Sequence, residues 1–505
     1  MAMIARKLGH SVVLLEKGKH PRVVIGESST PLSNLLLESI SDHYDLPFLK
    51  PLSKWGSWQQ TYPDIACGLK RGFSFFHHEL DSPSSPSDND RHLFVAASPR
   101  DFIADTHWYR AEFDELLVQQ AQALGVDYFD EAEISEARCD HRGWQLDARQ
   151  ALHQRTFQAH FLIDATGPRG FLHRALGLGE QSLPDFPVTS ALYSHFSGVS
   201  ELATSEAFHG TEAPYPVDAA AVHHVFDGGW IWVLRFNNGI TSAGVAATRE
   251  VADRFAFDDK ERAWNRLLDS LPLVKDQFSL VRAEMPFTHA RQLSFRSPSI
   301  TGSNWALLPS AAGFVDPLLS TGFPLTLLGI TRLGKILDEH WGSPRLETSL
   351  QEYARQTDDE LLATARLIGA LYQNMNDFPT FRLLSLLYFA AASYAEVARR
   401  LNKPELASSF LLHDHPEFGP ESRRLLTLAR ATLGPAEKEA LTNDIYRLIR
   451  DFDVAGLGKR PANHCYPVDA ADLFASAQKL GTDATEIEAL LRRTGFYSAE
   501  IRHQH

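Results

Sequence analysis

Cysteine is nearly absent: the 505 residues include three, Cys67, Cys139 and Cys465, an odd number at wide spacing. That excludes a disulfide framework and a cysteine-rich metal site, and makes a cytoplasmic protein the default. Positive charge is also short, with 49 Lys and Arg against 63 Asp and Glu and a net charge of −14. A nucleic-acid partner or an anionic membrane surface would reward a basic face, so both are excluded. No secretory signal opens the chain. The most apolar helical stretch, Leu383 to Ala398, is interrupted by Ser385, Ser393 and Glu396 and is too short to span a bilayer, so it reads as core. His77-His78-Glu79 and His413-Asp-His415 hold ligand-type residues without the second pair that a closed metal site needs, and no metal is expected.

A further absence falls inside a recognisable pattern. Met1 to His10 has apolar residues at helical spacing and ends around Gly9, and Ser11-Val-Val-Leu-Leu-Glu16 is a buried-strand run closing on an acid. Together they form the second half of a βαβ nucleotide-binding unit. Such a unit starts with a strand and a Gly-x-Gly-x-x-Gly turn for the pyrophosphate, and the acid, here Glu16, binds ribose hydroxyls. Neither the strand nor the glycines precede the helix. The expected explanation is a misplaced start that omits roughly 20 to 30 residues; a real truncation would remove the pyrophosphate site.

What is present is organised around strand ends. Phe157 to Asp164 reads as a strand ending in Asp164-Ala-Thr-Gly167, small residues that let a ligand approach the backbone. Asn304 to Gly322, with Pro309-Ser-Ala-Ala-Gly313-Phe-Val-Asp316-Pro317 at its centre, reads as a buried strand, a small-residue turn and a helix start. Pro324 suits the first turn of that helix, and Ser320 or Thr321 can cap it. Free amides there, at the positive end of the helix dipole, favour an anion or an electron-rich carbonyl. From Leu183 to Leu293 the texture changes to alternating strands, with Asn238-Gly239 as a hairpin turn. Trp230 and Trp232 are two apart on one of these strands, so their rings share a face; taken alone they read as core. Asp105 to Ala123 reads as a helix, Asp81 to Asp90 as a polar Pro/Ser excursion or lid, and residues 346–505 as largely helical. Lys70, in a strand-like run, reads by itself as a surface lysine.

Set side by side, these segments resemble the flavin-dependent halogenases and related FAD monooxygenases. Gly313-Phe-Val-Asp316-Pro317 followed by Ser320-Thr321-Gly322 is similar to the family's second flavin-contacting motif. Ile25-Gly26-Glu-Ser28 resembles its flavin-flanking loop, Arg110 the arginine of its Arg-x-x-Phe-Asp segment, and Asp164 to Gly167 its strand-end signature. Trp230-x-Trp232 matches the first half of the halogenase Trp-x-Trp-x-Ile-Pro signature, with Leu234-Arg235 in place of Ile-Pro.

The resemblance implies a Rossmann-like α/β FAD-binding domain, residues 1–182 and 294–345, lacking its first strand. It also implies a β-rich substrate-side domain over 183–293 and a helical extension over 346–505. FAD would be held by Glu16, Gly26, Ser28, Arg110, Asp164, Gly167, Gly313, Asp316, Pro317 and Gly322, and halide by Thr321 and Gly322. Trp230 and Trp232 would wall off the flavin. Lys70 would direct hypohalous acid, formed from halide and a flavin hydroperoxide, onto an aromatic or carrier-bound small molecule. A separate flavin reductase, or NAD(P)H docking transiently, would supply electrons.

Three departures from the pattern qualify this. Pro309-Ser310 replaces the family's Gly-Asp, which weakens a ribityl contact, and Leu319 replaces the Glu of the tryptophan-specific enzymes, which argues against free tryptophan. Leu234-Arg235, with Pro309-Ser310, leaves an FAD monooxygenase or other FAD oxidoreductase that ignores halide as the alternative, and a real truncation would leave a flavin-poor binding protein.

Overall fold

The computed structural model describes residues 1–82, 89–140, 142–150, 153–204 and 212–497. Most of the polar Pro/Ser tract read as a lid, residues 83–88, lies outside them.

The nucleotide-binding part is built from short parallel pairs. Val13–Leu15, which follows the N-terminal helix Ala2–Lys7, pairs with Asp127–Phe129, and Leu162–Asp164 pairs with Trp305–Leu307. Among the described residues no strand joins the two pairs. A three-stranded meander, Ala132–Asp140, Gly143–Gln150 and His153–Ala159, leads into the second pair. The single strand expected over Phe157 to Asp164 is therefore two. His153–Ala159 closes the meander, and the chain turns before Leu162 enters the parallel sheet.

A nine-stranded sheet forms the other layer. Its centre is Thr189–Ser197, Ile240–Thr248, Gly229–Arg235 and Ala221–Phe226 in that order. The expected hairpin is present: Gly239 takes a positive φ and the Phe236 amide donates to the Ile240 carbonyl across the turn. The sheet extends beyond residues 183–293, because Gly72–His77 and His92–Ala96 add to one side and Cys465–Tyr466 completes that edge.

The C-terminal part of the chain is mostly helical. Gly322–His340, Leu346–Gln373, Phe378–Arg400, Phe418–Leu428 and Pro435–Phe452 match the helical periodicity of the sequence. The apolar stretch at Leu383 extends into the 23-residue helix Phe378–Arg400, long and apolar enough to cross a membrane and mostly buried within this protein. Its Phe381 and Phe389 rings pack on Phe75 and Phe73 of the large sheet, with centroids 5.9 and 5.0 Å apart.

Two local expectations are corrected. Asp105–Trp108 is a strand, and the helix begins only at Arg110. The strand is held by antiparallel pairing with Cys67–Lys70, a long-range contact that overrides local helical preference. The helix after the small-residue turn begins at Gly322, and Thr321, its N-cap, makes no side-chain capping bond.

The Cys67–Lys70 strand is also pinned from its other side. The Cys67 carbonyl accepts from the Asn237 amide, and a Cβ added at Gly68 would lie 1.9 Å from the Arg235 carbonyl oxygen. Gly68→Ala is therefore expected to cost about 2 kcal/mol by forcing backbone apart, read as a lower denaturant midpoint. Unchanged stability would show that the strand is free to shift.

Candidate functional site

The site is assembled where the Gly-Glu-Ser loop, the strand Asp105–Trp108 and the end of the strand carrying Lys70 meet. Gly26 sits at φ +92°, a conformation glycine adopts without strain, and its carbonyl accepts from Arg110 Nη1 at 2.9 Å. The rest of the Arg110 guanidinium grips Asp114 one turn along its helix, at 2.7 and 2.8 Å. The loop then runs along Asp105–Trp108. The Ser29 amide and hydroxyl both donate to the Thr106 carbonyl, and the Trp108 amide donates to the Glu27 carbonyl. Thr30 caps the helix Pro31–His43 through a reciprocal capping box with Ser33, which fixes Asn34 in the first turn.

Lys70 is fully buried. Its Nζ donates to Ser28 Oγ at 2.9 Å and to the Ser29 carbonyl at 2.5 Å, and it sits 3.9 Å above the Phe73 ring. In the strand ladder its direct partner is Asp105, also buried. Burial pulls the Lys70 ammonium down from the usual lysine range and pushes the Asp105 carboxyl up from the usual carboxylate range, while each charge partly offsets the shift of the other. Asn34 Nδ2 donates to Asp105 Oδ1 at 2.7 Å. A surface location for the lysine is therefore excluded.

The turn before Gly322 is tightly tied to the surrounding helices. Asp316 is buried, its Oδ1 accepting from the Leu318 amide and from Trp230 Nε1 and its Oδ2 from the Tyr372 hydroxyl at 2.9 Å. Burial outweighs these three donors and raises the carboxyl to about 7. Leu319 and Ser320 both take left-handed φ values, +63° and +56°, and the Tyr388 hydroxyl donates to the Leu319 carbonyl at 2.9 Å. Two consecutive non-glycine residues in that region carry strain, which the two tyrosine contacts hold in place.

Trp230 and Trp232 lie on one face of Gly229–Arg235, with centroids 5.8 Å apart, and both are buried. Trp230 connects this sheet to Asp316, and Trp232 Nε1 donates to Ser242 Oγ. Trp230 thus ties the large sheet to the turn at Asp316, whereas Trp232 is held within the sheet.

The other expected cofactor residues are held mainly by their own surroundings. Glu16 accepts from the Gly18 amide and Arg22, and Asp164 accepts from Thr166 and from the Leu172 amide, so both shape their own turns. The Asp164 carbonyl accepts from the Leu308 amide, which ties its strand end to the entry of the Asp316 turn. Pro317 follows Asp316 directly, and Gly313 packs so closely that a Cβ there would press on Leu361. At Gly167 and at Gly322, the first residue of its helix, a Cβ would meet no atom within 4 Å. Both glycines leave the backbone open to the close approach of a ligand, as an FAD-binding strand end and helix start require.

Sequence reasoning missed several members of this assembly. Asp105 and Asn34 stand beside Lys70, Tyr372 and Tyr388 reach in from the C-terminal helices, and the buried pair His195 and Glu27 joins at 2.7 Å behind the loop. The one available signal was an acid opening the otherwise uncharged run Asp105-Thr-His-Trp108.

A two-layer α/β fold with a buried lysine and a tryptophan pair on one strand face is the arrangement of the FAD-binding folds of halogenase type. The tryptophan halogenase family profile matches residues 101–381, more than half of the chain, and the chain belongs to that family. It is 26% identical over 385 residues to the monodechloroaminopyrrolnitrin halogenase PrnC of Pseudomonas fluorescens, covering 75% of this chain and 66% of the relative. It is 27% identical over 336 residues to the tetracycline 7-halogenase of Kitasatospora aureofaciens, covering 65% and 59%. The chain thus spans less than two thirds of the length of these curated relatives. Among solved structures, halogenase PltM in complex with phloroglucinol and FAD superposes with a TM-score of 0.79 at 23% identity, over 91% of this chain and 95% of that one. FAD is the cofactor this fold carries.

Proposed function

We propose that the protein is a flavin-dependent halogenase acting on an electron-rich aromatic small molecule. The observation that carries the reading is Lys70, fully buried, held by Ser28 and the Ser29 carbonyl of the Gly-Glu-Ser loop and seated over the Phe73 ring. A desolvated ammonium is a strong hydrogen-bond donor and can hold hypohalous acid toward a substrate. FAD, when bound and reduced, supplies the oxygen activation that oxidises halide. The Thr321 and Gly322 amides, at the positive end of their helix, hold the halide, and Trp230 with Trp232 keeps substrate and bulk water from the flavin. Glu16, Gly26, Ser28, Arg110, Asp164, Gly167, Gly313, Asp316, Pro317 and Gly322 border the flavin, several of them by shaping the backbone as their own bonds indicate. Leu319, buried where the tryptophan-specific enzymes place a Glu, fits a substrate other than free tryptophan. Electrons come from a separate flavin reductase.

The test supplies FAD, a flavin reductase, NADH and an electron-rich phenol, with and without bromide, and records product mass. A brominated product that requires bromide is expected. A hydroxylated product that forms equally well without halide would replace this reading with that of a monooxygenase.

A further inference from the structure

The Gly-Glu-Ser loop carries a buried acid that the halogenation chemistry does not use. Glu27 is 3% exposed, and its Oε1 accepts from His195 Nε2 at 2.7 Å. His195, equally buried, lies on Thr189–Ser197 in the nine-stranded sheet, opposite Ser242 in the ladder. Its carbonyl accepts from the Glu284 amide, so the backbone is held on the other side as well. The ring lies nearly parallel to Phe236, 16° between planes with centroids 6.5 Å apart, and Tyr109 stands edge-on to both. A donor so held on a packed strand has a fixed position and direction.

The other ties to the loop come from a different quarter. The Gly26 carbonyl accepts from Arg110, the Glu27 carbonyl from the Trp108 amide, Ser28 Oγ from Lys70, and Ser29 bonds to Thr106. All of these belong to the lysine strand or to the run from Asp105 to Arg110. The Glu27–His195 bond joins the loop to the large sheet, the layer that carries Trp230 and Trp232. Gly26, at φ +92°, gives the chain a pivot directly before Glu27. Ser28 and the Ser29 carbonyl, the two acceptors of the Lys70 ammonium, come directly after it. A buried carboxyl that loses its donor is costly, so the loop would shift to regain a partner or water.

We infer that His195 is a positioning residue: by holding Glu27 it fixes Ser28 and the Ser29 carbonyl, and through them it aims the Lys70 ammonium. The consequence for chemistry rests on the halogenase reading, whereas the anchoring of the loop does not. Without His195 the ammonium loses its fixed direction, and hypohalous acid is released before it meets the substrate. The defect is therefore a lower yield of halogenated product for each flavin oxidised, with flavin oxidation itself continuing. Because both side chains act through one bond, removing either has the effect of removing both.

The test compares the FAD-loaded parent with His195→Phe, His195→Gln, Glu27→Leu and the double variant His195→Phe with Glu27→Leu. Hydrogen–deuterium exchange reads the loop directly. His195→Phe keeps a ring against Phe236, so the strand should hold. The Ser29 and Trp108 amides, which bond to the Thr106 and Glu27 carbonyls, should exchange about tenfold faster in it, while those of Ile240–Thr248 stay protected. Brominated product per flavin oxidised should fall about tenfold, the scale of a misplaced catalytic group. His195→Gln carries an amide donor at the same reach as the ring nitrogen, and should bring both readings back to within about threefold of the parent. The double variant should be no worse than His195→Phe, and Glu27→Leu supplies the same readings if His195→Phe does not fold. Unchanged loop exchange or unchanged product yield in His195→Phe, or a double variant showing the summed loss of the two single ones, would overturn the inference. So would faster exchange throughout Ile240–Thr248, which would make His195 a support of its own sheet. A parent that brominates no electron-rich phenol would sink the halogenase reading, and the exchange rates would still decide whether His195 anchors the loop.

Discussion

Lys70→Met is expected to lower aromatic halogenation by about 10²- to 10⁴-fold, the range typical of losing a positioned proton donor, while FAD uptake stays intact. Among the described residues Lys70 Nζ donates to Ser28 Oγ and the Ser29 carbonyl, and it lies over the Phe73 ring. Methionine matches the length of the lysine stem and suits its fully buried surroundings, so the fold has little reason to change. It cannot donate to hypohalous acid. The neighbours cannot substitute: Asp105 has its hydrogen bond from Asn34, and Ser28 would lose the donor that orients it. The measurement pairs the bound-flavin absorbance spectrum with brominated product per flavin oxidised. Oxidation that continues while product falls is the expected pattern. Bromination retained within tenfold of the parent would remove Lys70 from the chemistry.

Part of this site could be read from the chain alone, for local reasons. The two-residue spacing of Trp230 and Trp232 sets both rings on one strand face wherever the strand lies, and Asn238-Gly239 specifies its turn without help from elsewhere. The order of small residues and Pro324 placed the helix start within two residues of Gly322. What escaped depends on contacts between distant segments. Asp105 becomes the partner of Lys70 only when two strands separated by more than thirty residues pair, and the local pattern at Asp105 favoured a helix. Tyr372 and Tyr388 belong to helices that read as plain amphipathic or apolar runs, and nothing local marks their hydroxyls as partners of Asp316 and Leu319. The boundary at residue 183 was drawn where the texture changes, whereas the large sheet also takes Gly72–His77 and His92–Ala96, which register with Ala221–Phe226 and with each other. Glu16 and Asp164 were legible as strand-end acids, but their bonds to nearby amides form only once the turns close.

Asp316→Ala is expected to cost about 4 kcal/mol of stability, because it leaves the Leu318 amide and the Tyr372 hydroxyl without their acceptor and weakens the tie to Trp230, each loss being worth about 1–3 kcal/mol. That is a large share of what holds an ordinary domain folded. Asp316→Asn separates the hydrogen bonds from the charge, since it preserves an acceptor and cannot ionise. Burial raises the Asp316 carboxyl to about 7, above the 3.8 expected when exposed, so the folded protein holds a proton there that the unfolded chain releases. Its contribution to stability is fully present below about pH 4 and is lost as pH rises through about 7. The Asn variant lacks this loss. Denaturant midpoints at pH 5 and pH 8 should therefore show Asp316→Asn gaining on the parent at the higher pH, while Asp316→Ala stays well below the parent at pH 5. A gap between Asp316→Asn and the parent that is the same at both pH values would mean that Asp316 is ionised throughout, with Trp230, Tyr372 and the Leu318 amide together outweighing the cost of burying its charge.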